Sequence, residues 1–490
     1  MDDIHAQAKS GIKALMVRQV FLQIFTFGGG VILARVLGPA QFGLFAIASF
    51  WVGILALIGD FGLAPSFIQR REELTERDLQ VGFTLQQILT TIIVAVLFLG
   101  APWLALLYPK APHETVWLVR ALAFSLYLTS WRSMSALQLE RRLQYKKLAW
   151  IEVVESVSYQ GLAVLLVLMG FGIWSLIWAV LVRGVLGAVL VYLAAPWPIR
   201  LGFDAVIAKN ILRYGIPFQL QNITNQASSW IAPVFVAAII GPQAVGFLAW
   251  ASSNGKKPLV LVDNVMRVAF AHFARIQNDR AEVERTLTRY LTYLLLPPGL
   301  WLAVLLTAGP TLTEWIYSRK WSPAVTPLEL FAVALCFDVV GWVVAVTLNS
   351  LGLVNFTTRV VLVRSLATVV FSIPAVMLVG YNGVPLAYVA VMFVYTPLLC
   401  RGMGQGGARR VLGPLAWIVK PLLASVLLGL LVARYPLPPE QSALATATIT
   451  ALTYVGTCWP ASPRWLTVAI LIQRDKYMPL KLVNGIRTAK

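Results

Sequence analysis

Several basic residues fall inside long apolar segments of this sequence, and four of them are candidates for a binding site. Arg18 and Arg183 each interrupt such a segment, and Lys256 and Lys257 are adjacent in the stretch 254–258, which reads NGKKP. A charge at the centre of a bilayer costs roughly 2.5–3.5 kcal/mol on insertion scales, so such residues usually face a wet interior. A glycine and a proline can break a helix, and two cations at a break suit an anionic group. The four residues therefore predict a site for an anionic, phosphate-bearing group, although Arg18 could instead snorkel to the membrane surface.

Uncharged polar residues form a stripe in each of two apolar segments. The second stripe follows the spacing i, i+3, i+7 and i+10, which is one face of a helix. The two sets are Gln19, Gln23 and Thr26, and Gln219, Asn222, Gln226 and Ser229. Amides and hydroxyls suit a hydrated cavity that binds sugar, whereas the alternative is polar contact between helices. Because the stripe occurs twice at one sequence offset, we favour the cavity.

Acidic residues in the apolar segments are few. Asp60, Asp263 and Asp338 are the candidates for coupling or gating, although Asp60 and Asp263 could instead cap or pair locally. Glu152 and Glu155 lie near the start of a further segment. The cysteines (Cys336, Cys400, Cys458) and histidines (His5, His113, His272) show no metal-ligand spacing. With no nucleophile constellation and no phosphate loop, we expect neither an enzyme nor a bound metal or cofactor.

One motif occurs twice. Residues 37–46 read LGPAQFGLFA and residues 240–249 read IGPQAVGFLA, at an offset of 203 positions. The offset superimposes Gly38, Pro39, Gly43 and Ala46 on Gly241, Pro242, Gly246 and Ala249, and also Asp60 on Asp263. A Gly-Pro turn, a polar stripe and a lone acid at one offset indicate an internal duplication, which is typical of membrane transporters.

The composition is that of a membrane protein. Hydrophobic residues make up 58% of the chain and charged residues 12%, whereas soluble proteins carry about 25% charged residues. The mean hydropathy is +0.75. The net charge of +19 could indicate nucleic-acid binding. In so apolar a chain it more often reflects Lys and Arg that hold loops in the cytoplasm, so we expect no nucleic acid.

The sequence contains fourteen apolar segments of roughly the 20 residues that a spanning helix needs. They are 12–36, 41–67, 79–106, 116–138, 148–169, 172–194, 212–239, 243–272, 287–309, 326–349, 359–380, 383–400, 411–433 and 441–459. Lys and Arg concentrate in alternate connections, which places both termini in the cytoplasm and requires an even number of spans. A count of twelve is the alternative if the last two segments are not spans.

The predicted fold is therefore all-α and polytopic, with two six-helix lobes and two extra C-terminal helices. The first segments of the two lobes cross in the same direction, so the lobes are parallel repeats. The predicted divisions are 1–194 and 212–402 for the lobes, 195–211 for a cytoplasmic linker, 403–460 for the extra helices and 461–490 for a basic tail. We expect a hydrated cavity between the lobes.

Topology can be checked with reporter fusions. Reporters fused after Lys110 and Lys320 should read as external, and those after Gln144 and Asn278 as cytoplasmic, because positive charge is retained inside. A cytoplasmic signal at Lys320 would contradict the two-lobe arrangement.

Three stretches carry a family resemblance: LARVLGPAQFGLFA, GDFGLAPSFIQRREELTERDL and LQLERRLQYKKLAWIEVVESV. They resemble the polysaccharide-unit flippases (Wzx type), in the branch that serves exopolysaccharide and colanic-acid-like pathways. These belong to the multidrug/oligosaccharidyl-lipid/polysaccharide exporter superfamily. The resemblance covers about residues 9–400. It implies alternating access, a central cationic cavity and a polyprenyl-diphosphate-linked oligosaccharide as cargo in the bacterial inner membrane.

The expected partners follow from this resemblance. They are the lipid-linked oligosaccharide, membrane lipids and, as further candidates, a polysaccharide polymerase and co-polymerase. A drug/cation antiporter of the same superfamily is the main alternative, but its cavity would be acidic. A membrane glycosyltransferase or polymerase would carry a large outward loop with catalytic acids, and the outward connections here are short. A purely structural membrane protein would not need a duplicated polar stripe.

Overall fold

A computed structural model describes most of the chain. The described residues are 22–60, 63–68, 74–108, 110, 114–142, 144–226, 232–404, 407–434 and 438–458. Within these ranges the regular structure is helical and includes no strand, which confirms the predicted all-α class.

The helices follow the predicted apolar segments. The first half contains α1 (Leu22–Val36), α2 (Pro39–Asp60), α3 (Leu63–Ile68), α4 (Glu76–Leu107), α5 (Glu114–Arg141), α6 (Tyr145–Leu168), α7 (Trp174–Ala194), α8 (Ala205–Gln226), a π-helical turn (Ala232–Val236) and α9 (Ala237–Ile239). The second half contains α10 (Pro242–Gly255), α11 (Leu259–Ile276), α12 (Arg280–Leu294), α13 (Leu296–Tyr317), α14 (Val325–Ser350), α15 (Val354–Val379), α16 (Gly383–Cys400), α17 (Gly407–Ala433) and α18 (Pro439–Cys458). Short 3₁₀ turns at Arg319–Ala324, Gly380–Asn382 and Arg401–Met403 connect some of them.

Eight helical stretches of the described residues are long and apolar enough to cross a membrane. This finding supports the multi-pass class, and the count of fourteen spans stays a prediction.

Local signals explain where several helices begin. Pro39 and Pro242 are the first residues of α2 and α10. A backbone N–H at this position would have no partner within the helix, so proline, which lacks it, loses no hydrogen bond there. Before α4, the Thr75 hydroxyl accepts from the Asp78 amide at 3.2 Å, and the Asp78 carboxylate accepts from the Thr75 amide at 3.0 Å. Asp204 accepts from two amides of α8, so this helix begins inside the predicted linker 195–211.

By internal contacts the chain forms two compact units. Unit 1 comprises Met1–Asn254, Ile316–Leu328 and Val361–Val391, and unit 2 comprises Gly255–Trp315, Glu329–Val360 and Met392–Lys490. In unit 1, α5 packs against α4 and α7, and α6 packs against α7. In unit 2, α17 packs along α18 and against α12. The two predicted lobes, 1–194 and 212–402, follow the sequence repeat and have other boundaries than these two units. The division into lobes stays a prediction.

The two copies of the duplicated motif lie against each other within unit 1. A Cβ added at Gly43 would collide with the Pro242 carbonyl, and a Cβ added at Gly246 would collide with the Pro39 carbonyl. Each of these added atoms would also lie 3.0 Å from the backbone nitrogen of the opposite glycine. The contact is reciprocal, so the sequence repeat is also a structural one here. Glycine is required on both sides because the two backbones touch.

Candidate functional site

A buried carboxylate in unit 1 holds two arginines. The Oε2 atom of Glu155 lies 3.0 Å from Nη1 of Arg132 and 3.8 Å from Nε of Arg183. The Glu155 side chain is only 2% exposed. Glu155 lies near the middle of α6 and Arg183 near the middle of α7. We name Arg132, Glu155 and Arg183 the arginine cluster; its formal charge is +1.

Two glycines of α7 make room for this cluster. A Cβ at Gly187 would collide with Oε1 of Glu155, and a Cβ at Gly184 would lie 2.9 Å from the Leu128 side chain of α5. Glycine at 184 and 187, one helical turn apart, therefore lets α7 approach both neighbouring helices. The close approach places the carboxylate between the arginines.

Arg183 is exposed on a side of α7 that does not face lipid. The exposed apolar residues of α7 recur every three or four positions and mark its lipid-facing side: Trp178, Val182, Val185, Val189 and Leu193. Arg183 instead shares a side with buried Leu176, Ala179 and Gly187, yet its own side chain is 48% exposed. Its exposed part therefore opens toward the interior of the protein.

The Arg183 guanidinium has donors to spare. Within the described part of the chain, its contacts are the 3.8 Å ion pair with Glu155 and the ring of Tyr159, whose centroid lies 5.9 Å away. Neither is a hydrogen bond, and a guanidinium carries five N–H donors. A group that is oriented but leaves its donors open can bind a planar or tetrahedral oxyanion.

A second cation cluster lies in unit 2, at the predicted helix break. The α10 helix ends at Gly255 and α11 starts at Leu259, so Lys256 and Lys257 occupy the turn between them. Nζ of Lys256 lies 2.9 Å from Oδ2 of Asp338 on α14. It also lies 5.8 Å from the centroid of the Phe331 ring. The structure therefore joins a residue predicted to bind diphosphate with one predicted to serve in coupling or gating.

The other predicted residues are placed as follows. Gln23 is exposed on α1, and Gln219 is buried on α8, where its Nε2 donates to the Leu57 carbonyl of α2. That bond is a polar contact between two helices, which is the alternative to a sugar-binding cavity for the polar stripe. Arg18, Gln19 and Ser229 lie outside the described residues. Asn222, Gln226, Asp60 and Asp263 belong to described helices, but their side chains lie outside what the structure describes.

Sequence reasoning missed Arg132 and did not connect Glu155 with Arg183. A usable signal was present, because the three charges interrupt three consecutive predicted spans and have opposite signs. Opposite charges in neighbouring spans are expected to pair, since an unpaired charge inside a membrane is costly.

The described part of the chain is helical, with eight stretches apolar and long enough to span a membrane and charged residues within them, so it defines a multi-pass membrane protein. The family model described as "Polysaccharide biosynthesis protein" matches residues 32–326, which is more than half of the chain. The chain belongs to this family.

Three curated relatives carry names from polysaccharide pathways. The succinoglycan biosynthesis transport protein ExoT of Rhizobium meliloti is 29% identical over 310 residues, which are 62% of this chain and 61% of ExoT. The match thus spans less than two thirds of that relative. The teichuronic acid biosynthesis protein TuaB of Bacillus subtilis is 24% identical, covering 68% of this chain and 69% of TuaB. The lipopolysaccharide biosynthesis protein WzxC of Escherichia coli is 21% identical, covering 75% of each chain. The resemblance to polysaccharide-unit flippases is confirmed.

Solved structures show the same fold at low sequence identity. The lipid II flippase MurJ in an inward closed conformation aligns with a TM-score of 0.75 at 15% identity, covering 90% of this chain and 97% of MurJ. An inward-facing multidrug resistance MATE family transporter of the MOP superfamily aligns with a TM-score of 0.59 at 18% identity, covering 81% of this chain and 96% of the transporter. These likenesses identify the fold alone.

Proposed function

We propose that this protein is a flippase for a polyprenyl-diphosphate-linked oligosaccharide. It would move one repeat unit across the bacterial inner membrane for export of an exopolysaccharide or O-antigen-like polymer. The observation that carries the proposal is Arg183, a guanidinium in mid-span that is oriented by buried Glu155 and exposed toward the protein interior. The printed name of ExoT, a succinoglycan biosynthesis transport protein, supports a polysaccharide unit as cargo.

The chemistry of the cargo explains why such a residue is needed. A diphosphate and several sugars cannot cross hydrocarbon unaided, because each unpaired polar group costs several kcal/mol there. A guanidinium binds phosphate oxygens through two parallel N–H donors and keeps its charge at every relevant pH. In this proposal Arg183 binds the diphosphate, Arg132 adds positive charge, and Tyr159 offers a ring face to a sugar.

Lys256 and Lys257 are the second cation pair of the proposal. Lys256 is paired with Asp338 at 2.9 Å, so an arriving diphosphate would compete with a carboxylate for the same ammonium. Such an exchange of partners would draw the Lys256 ammonium away from Asp338. It could therefore link cargo binding to a conformational change. Asp338 is therefore the coupling residue that we propose. Arg18 and the polar stripe remain further candidates for cargo contact.

The drug/cation antiporter is the second candidate because MATE transporters share the fold. It would need a net acidic site for a cationic substrate. The arginine cluster is instead net positive. These charges favour an anionic cargo.

Lipid analysis of a deletion strain tests the proposal. A flippase moves its cargo and leaves its chemistry unchanged, so cells without it should build the complete lipid-diphosphate oligosaccharide and retain it on the cytoplasmic leaflet. Mass spectrometry of extracted lipid-linked sugars, combined with leaflet-selective labelling, measures both properties. A truncated oligosaccharide would instead indicate a glycosyltransferase, and single units already outside would indicate a polymerase.

A further inference from the structure

Two lysines in unit 1 each bind the end of a helix from the other repeat. Nζ of Lys320 donates to the Arg35 carbonyl at 2.6 Å, near the end of α1. Nζ of Lys110 donates to the carbonyls of Ile239 and Ile240 at 3.0 and 3.3 Å, at the end of α9. Each accepting helix end immediately precedes a copy of the duplicated Gly-Pro motif.

The two lysines occupy equivalent places in the repeats. Lys110 follows α4 in the connection between the third and fourth predicted spans, and Lys320 follows α13 in the connection between the ninth and tenth. With six spans per repeat, these are the same connection. Lys110 comes from the first repeat and binds the second, while Lys320 comes from the second and binds the first. The exchange is therefore reciprocal, like the contact between Gly43 and Gly246.

The chemistry of these contacts is that of a helix cap. The last carbonyls of a helix have no amide partner within it, and they carry the negative end of the helix dipole. A lysine ammonium satisfies both features and can leave easily because it is a hydrated, flexible cation. Both connections are predicted to be external, so water can replace the ammonium when the helices part.

A buried aromatic group fills the space beside the Lys320 contact. The Trp321 side chain is fully buried, and its Nε1 donates to the Ala34 carbonyl at 2.8 Å. Its ring lies 5.3 Å from that of Phe42 in an edge-to-face contact and stacks on Trp250 at 5.2 Å. Trp321, from the second repeat, thus packs directly against residues of the first repeat at this point.

We propose that Lys110 and Lys320 form a reciprocal latch that holds the two repeats closed at their Gly-Pro motifs. The latch opens and recloses once in each transport cycle, and this role depends on the alternating access of the proposed function. The three exposed lysine-to-carbonyl hydrogen bonds are weak enough to break in every cycle. Losing both lysines should shift the ratio of open to closed molecules by about tenfold, as expected for a modest bias between two states.

A distance measurement between the motifs tests the latch. Ala40 and Gln243 are exposed at equivalent positions of the two copies, and the three native cysteines can be replaced by alanine. Spin labels at Ala40→Cys and Gln243→Cys, read by double electron–electron resonance in lipid nanodiscs, report on this contact. We expect a short distance in the parent, and a growing longer-distance population in Lys110→Ala/Lys320→Ala. The Lys110→Arg/Lys320→Arg variant should restore the short distance because it keeps the donors.

Two controls isolate the latch. Lys146→Ala/Lys147→Ala removes the same charge from exposed positions in a predicted cytoplasmic connection and should leave the distance unchanged. Gly43→Ala forces the two backbones apart, whereas Gly53→Ala adds a methyl to the same helix with no atom within 4 Å. Gly43→Ala should therefore lengthen the distance and Gly53→Ala should not.

The outcomes are distinct. If Gly43→Ala lengthens the distance but the double lysine variant does not, the motifs form a contact that the lysines do not hold, and the latch is wrong. An unchanged melting temperature of the lysine variant separates opening from unfolding. The measurement needs no cargo, so the latch can fail while the flippase assignment stands, and the lipid analysis can fail while the latch stands.

Discussion

Replacing Lys256 and Lys257 together by alanine should abolish polymer export while the protein still reaches the membrane. The change removes two cations from the turn between α10 and α11 and leaves Asp338 without the Lys256 ammonium. A hydrogen bond to a charged group contributes roughly 1.5–3 kcal/mol, and about 1.4 kcal/mol is a factor of ten in binding. Two such losses predict a fall in cargo affinity of roughly a hundredfold or more.

The measurement is exported polymer per amount of membrane-inserted protein. The conservative variant Lys256→Arg/Lys257→Arg keeps the charge and should be milder if charge alone matters. The Asp338→Asn variant separates coupling from binding, because it removes the competing carboxylate and leaves both lysines. Normal polymer output from the double alanine variant would remove these lysines from the site.

The second large effect is expected on stability. Replacing Glu155 by alanine leaves Arg132 and Arg183 facing each other in the middle of the first repeat without their carboxylate. Removing one member of a buried ion pair costs about 3–5 kcal/mol. Because Arg132 is 26% and Arg183 48% exposed, solvent screens the remaining charges and the cost should lie below this range. We therefore expect a lower melting temperature for Glu155→Ala, measured on the purified protein in detergent or nanodiscs.

Glu152→Ala is the matched control. Glu152 is an exposed acid three residues earlier on the same helix, and exposed ion pairs contribute little, so its loss should change stability by about 1 kcal/mol or less. Equal melting temperatures for the two variants would contradict the structural role of Glu155.

A triple replacement separates stability from transport at this cluster. Arg132→Met/Glu155→Leu/Arg183→Met exchanges buried Glu155 and its two partly exposed arginine partners for apolar side chains. Such an exchange of a whole ion cluster is often neutral or stabilising. We expect this variant to be as stable as the parent and still unable to export polymer. Full export by a stable triple variant would show that Arg183 does not bind the cargo.

Much of the architecture could be predicted from the sequence, because membrane insertion depends on local properties. Runs of apolar residues predicted where the helices lie, and the glycine and proline around Lys256 and Lys257 predicted the break between α10 and α11. The duplicated motif predicted a repeat, and its two copies lie in reciprocal contact. Hydropathy, helix breakers and self-similarity are read within short windows, so one sequence is enough to recognise them.

The partners of the charged and polar residues were decided by the tertiary structure. Lys256 pairs with Asp338, 82 positions away, and Lys320 binds the Arg35 carbonyl, 285 positions away. Gln219 was expected to line a cavity, yet it is buried and donates to the Leu57 carbonyl. Such pairings depend on how each helix is rotated about its axis and on which helices touch. Both follow from small residues such as Gly184, Gly187 and Gly43 at the points of closest approach, and those contacts lie far apart in the chain.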